Sequence, residues 1–149
     1  MIGEKALKAI LVLIAAYHVV TGLLALVAPD TFFEQIGHYG VENSHYVGDV
    51  GAFILAFGIA LGIAVVRPAW RAPLLWLGAL WYGIHAINHA FDTGEAKSDA
   101  RGWSDTVLIA FGGVASAWLA RVAERLKRAA QETAHPQATS STRTGGEVG

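Results

Sequence analysis

Apolar positions in this chain neither alternate nor recur along a single stripe. They fill long uncharged runs broken by short polar stretches. The first run, about 9–28, holds no formal charge and has His18 near its middle. About 20 residues rising 1.5 Å each match the roughly 30 Å hydrocarbon layer of a bilayer, so the run predicts a membrane-crossing helix. It is too long for a secretory h-region, and Pro29 directly after Ala28 spoils a cleavage site, which predicts a retained helix. Similar runs over about 46–66, 73–91 and 106–120 predict three further spans.

The breaks carry their own signals. Pro29 ends the first span, and Asp30 is placed to cap a short helix over Thr31 to Ile36. Phe32, Phe33 and Ile36 on one side of it predict a helix lying in the headgroup layer. Gly58 and Gly62 form a small-xxx-small pair suited to close helix packing. Arg67 to Pro73 reads as a basic turn, with Pro73 in the first turn of the third span. Residues 129–149, rich in Ser, Thr and Gly toward their end, predict a disordered tail. The expected fold is all-α: an antiparallel four-helix transmembrane bundle over residues 1–128, with a short interfacial helix between spans one and two.

Composition strengthens the membrane reading. The 149 residues are 54% hydrophobic and 15% charged, one domain's length but more apolar than a soluble domain requires. A formal net charge of −1 gives no reason to expect nucleic acid as a partner. The absence of cysteine excludes disulfides, thiolate metal sites and a thiol nucleophile. Lys5 and Lys8, Arg67 and Arg71, and Arg121, Arg125, Lys127 and Arg128 all fall at one side of an up-down-up-down path. The positive-inside rule then predicts a multi-pass cell-membrane protein with both termini cytoplasmic. Membrane lipids are its expected surroundings, and the small-residue helix faces suit a homo- or hetero-oligomer.

Chemistry concentrates in the third span. His85 and His89 are one helical turn apart with Asp92 about two turns from His85, so the three share a face that lipid would penalise. His45 and Asp49 share a face of the second span, and Asp105 opens the fourth. Counting inward from the outer ends puts these groups in the outward half, with His18 near the midplane. A first reading is a metal site for zinc, iron, manganese or copper, drawn from His45, Asp49, His85, His89 and Asp92. A haem held by His18 and His85 is a variant of it. A second reading is an acid/base enzyme of the isomerase or cyclase type. There His85 and Asp49 move protons on a small lipophilic ligand that Trp81 and Tyr82 help to bind. A third is a structural or accessory subunit, in which the polar groups only satisfy one another and Asp105 caps its helix.

The order of features, a first helix with Gly22 before Pro29, the aromatic segment Thr31-Phe32-Phe33, a glycine-rich second span and two more helices, resembles the DoxX-like small membrane proteins. The likeness covers about residues 6–128. It implies a compact antiparallel bundle and a loose link to redox or sulfur metabolism, and it assigns no catalytic residue.

Overall fold

Three of the apolar runs fold into helices long and apolar enough to cross a membrane: α1 (Glu4–Val27), α3 (Ser44–Val66) and α5 (Asp99–Ala134). The structure, a computed structural model, describes residues 2–37 and 39–134. Within them the chain is all-α, adding the short α2 (Pro29–Gln35), the long α4 (Pro68–Phe91) and one 3₁₀ turn, Thr93–Glu95. The predicted tail falls partly outside the described residues. Its first part, 129–134, is helical as the end of α5, because Ala and long-chain residues there favour continuing the helix.

Several boundaries differ from the sequence reading for identifiable reasons. Pro68 occupies the first turn of α4, and Pro73 lies inside the helix. The backbone hydrogen bond lost at Pro73 frees a carbonyl at the start of the helix, where such groups are most easily hydrated. Pro29 itself opens α2, so Asp30 sits within the first turn and makes no side-chain cap. Asn43 does cap α3, its Oδ1 accepting from the backbone N–H of His45 at 3.1 Å and of Tyr46 at 3.3 Å. Asp105 falls inside α5, which begins seven residues earlier than a cap at that position requires.

Packing is strongest between α1 and α3 and between α4 and α5. The two pairs meet chiefly through α3 and α4, and α1 touches α5 only slightly. Glycine sets the α1/α3 spacing. A methyl at Gly22 would lie 2.5 Å from the Leu55 nitrogen, one at Gly51 2.7 Å from the Ala25 Cβ, and one at Gly58 2.8 Å from the His18 Cβ. These meetings of 22 with 55, 25 with 51 and 18 with 58 show that α1 and α3 run antiparallel. Gly62, expected to share this role with Gly58, has open space beside it. Across α4 and α5, Gly113 approaches the backbone of Gly83 and Ala79, and Gly78 approaches Ser116, again in antiparallel register.

The apolar core gathers at one end, where α1 starts, α3 ends, α4 starts and α5 passes its midpoint. Leu7, Leu11, Leu61, Leu75, Leu119 and Val122 are buried there. Arg71 fastens this end. Its side chain is 4% exposed, yet it gives two 2.9 Å hydrogen bonds to both carboxylate oxygens of Glu4. It also donates to the carbonyls of Ala64 at 3.0 Å and Val65 at 2.9 Å, terminal acceptors of α3 that lack helical partners. Arg71 is therefore a buried clamp rather than the exposed turn cation the sequence suggests. Trp76 donates from Nε1 to Glu124 at 2.9 Å and lies beneath the Arg121 guanidinium.

Candidate functional site

At mid-length of α1 the peptide carbonyl of Ile14 accepts a 2.7 Å hydrogen bond from His18 Nδ1. A carbonyl can only accept, so the proton of neutral His18 sits on Nδ1 and Nε2 is left as an acceptor. The Tyr82 hydroxyl from α4 donates to that Nε2 at 2.8 Å. His18 is 1% exposed, held against Gly58, with Phe57, Trp81 and Tyr82 around its ring. Both ring nitrogens are thus engaged, and ligating a haem iron would require breaking one of these bonds.

From Trp81 the aromatic contacts lead toward the end of the molecule remote from Arg71. Trp81 meets Phe53 and Phe57 of α3 and stacks near His85 at 6.3 Å between ring centres. His85 and His89, one turn apart, stand edge to face at 4.5 Å. Tyr39, in the link between α2 and α3, lays its ring 4.4 Å from that of His89 and donates from its hydroxyl to Asp105 Oδ2 at 3.2 Å. Arg101 donates to the same oxygen at 3.2 Å from one turn earlier on α5. The Tyr39 phenol is pushed up to about 12, first by burial and then by the negative charge of Asp105. It therefore remains a donor through the neutral range. The Nδ1 atom of His89 is enclosed and has no hydrogen-bond partner among the described residues.

The structure brings together only part of the predicted set. His85, His89 and Trp81 adjoin one another, whereas Tyr82 turns to His18. Asp92 ends α4 and accepts from Asn88 Nδ2 at 3.0 Å. His45 and Asp49 face each other at 3.7 Å with side chains 81% and 67% exposed, outside the buried seam. Among the described residues, no three of the His, Asp and Glu side chains converge as a metal shell would need. Sequence reasoning missed Tyr39. It lies between glycines in a link, Gly40 taking a positive φ of 62°, and no helical periodicity ties it to His89. Asp105 at the head of the fourth span was visible, but its pairing with Tyr39 depends on how that link folds back.

Comparison with protein families, curated proteins and solved structures finds no match for the chain.

Proposed function

We propose that the chain is a four-pass membrane protein whose outward half takes a lipophilic ligand bearing a hydrogen-bonding head and moves a proton to or from it. The observation that carries this reading is the enclosed Nδ1 of His89, which has no hydrogen-bond partner among the described residues. An imidazole nitrogen shut away from water is costly unless something satisfies it, and a ligand hydroxyl or carbonyl at that point would do so. His85 and His89 supply the acid/base groups and Phe53 and Trp81 an apolar wall, while Tyr39, its hydroxyl held by Asp105, packs its ring against His89.

In this reading α4 also crosses the membrane, as the third of four spans in an antiparallel bundle. Its 24 residues reach about 36 Å, and His85 and His89 are part-buried rather than fully turned to lipid. The basic residues at the Arg71 end put that end and both termini in the cytoplasm. Such a bundle also agrees with the resemblance to DoxX-like proteins.

The test is titration of detergent-purified protein with a short-chain quinone, followed by quenching of tryptophan fluorescence. Saturable quenching that disappears in His89→Ala and shrinks in Trp81→Phe is expected. Equal, non-saturating quenching in all three proteins would overturn the reading.

A second reading is a metal ion held by His85 and His89, favoured by two imidazoles edge to face one turn apart. It requires donors from a ligand or water to complete the shell. Stoichiometric metal in the purified protein, lost in the double variant His85→Ala/His89→Ala, is its signature.

A further inference from the structure

Along the outward face of α3, His45, Asp49, Ala52, Ala56, Ile59 and Ile63 are all exposed. Their spacing is four, three, four, three, four. That is the a/d repeat that lines one seam of a helix and meets a parallel neighbour in alternating layers. The faces of α3 that the chain itself covers lie elsewhere: Gly51 and Gly58 are against α1, and Phe57 is against Trp81.

The seam has a charged end. His45 Nε2 and Asp49 Oδ2 are 3.7 Å apart, too far for a good hydrogen bond, and both side chains remain mostly exposed. Asp49 is the sixth residue of a 23-residue helix about 35 Å long. If α3 is centred in the bilayer, the Cα of Asp49 lies about 5 Å inside the hydrocarbon, with its side chain leaning back toward the outer end of the helix. A carboxylate pointing outward at that depth needs a polar partner that lipid tails do not provide.

We propose that α3 pairs with α3 of a second copy of this chain, the two related by a two-fold axis along the membrane normal. A two-fold contact is reciprocal, so the imidazole of each copy comes beside the carboxylate of the other. His45 and Asp49 complement each other in this way with no other partner required. Ala52 and Ala56 follow at the centre of the seam, where small side chains let two backbones approach. This inference rests on the four-pass membrane reading and is independent of what His85 and His89 bind.

The cysteine-free chain makes the test direct. Single-cysteine variants Ala52→Cys and Ala56→Cys, reconstituted in phosphatidylcholine vesicles, are oxidised and compared with Leu13→Cys, an equally lipid-facing position on α1 that is 70% exposed. Most of the Ala52→Cys and Ala56→Cys protein should form disulfide-linked dimer, several-fold more than Leu13→Cys. Adding Asp49→Leu to Ala52→Cys should cut the yield several-fold. Equal cross-linking at all three positions, a yield unmoved by Asp49→Leu, or single-step photobleaching of labelled protein in the vesicles would overturn the dimer. Failure of the protein to float with the vesicles would instead overturn the membrane reading beneath it.

Discussion

The two ends of the molecule solve the same problem differently. At the Arg71 end, buried leucines surround one cation, and the Nε, NH1 and NH2 nitrogens of Arg71 reach acceptors in α1 and α3. At the His89 end the enclosed groups are rings and a carboxylate. One nitrogen there lacks a partner among the described residues, and the link carrying Tyr39 is fastened by a hydrogen bond to Asp105 of α5. A satisfied polar network holds a structure in place, whereas a partly satisfied one marks where something else belongs. The first end therefore reads as scaffold and the second as site.

The sharpest way to break that contrast is Arg71→Ala. It should destabilise detergent-solubilised protein by about 3 kcal/mol, chiefly because the carbonyls of Ala64 and Val65 lose their donors and the packed side chain is removed, while Glu4 is half exposed and rehydrates. Arg71→Lys should recover only part, since an ammonium cannot reproduce the forked contacts. A loss below 1 kcal/mol in a denaturant titration would make this end no more scaffold than the other.

Next in size is Gly22→Ala, whose methyl would press on the Leu55 backbone at 2.5 Å. A cost of about 1–3 kcal/mol is expected, against almost none for Gly62→Ala, which meets open space. Similar losses at both would show that the α1/α3 seam is not set by glycine. Tyr82→Phe leaves Nε2 of buried His18 without its donor and should cost about 1–2 kcal/mol, with His18→Phe at least as damaging.

The smallest effect belongs to Tyr39. Because its phenol holds its proton more tightly in the folded protein than in the unfolded chain, its stabilising contribution is complete below pH 10. It is lost as the pH rises through about 12. Tyr39→Phe should lose less stability than wild type over that interval and differ little from it at pH 7. An identical alkaline profile would remove Asp105 and burial as influences on this residue.

Much of the helical content was legible because uncharged runs of bilayer length leave few alternatives. The His85/His89 pair was legible because helical spacing alone makes these residues neighbours. What escaped was whatever depends on rotation about the helix axis and on how links fold back. Asp49 and His45 share a face, as their spacing says, but nothing local reveals that α3 turns that face outward while committing Gly51 and Gly58 to α1. Arg71 looked like one more loop cation because its partner, Glu4, is 67 residues away. Tyr39 carried no signal because glycine-rich links have no period.

α5 has 36 residues and its packing partner α4 has 24, which makes them about 54 Å and 36 Å long. About 18 Å of α5 must therefore outrun α4, divided between its two ends because Gly113 lies against Gly83 and Ser116 against Gly78. Because the helix is continuous to Ala134, the part of that excess at the Ala134 end is a stiff mast rather than a tether. A fluorescent probe at Gln131 would stand at a set height from the rest of the protein, and the chain would carry its own ruler for measuring how far anything docked there is held from the lipid.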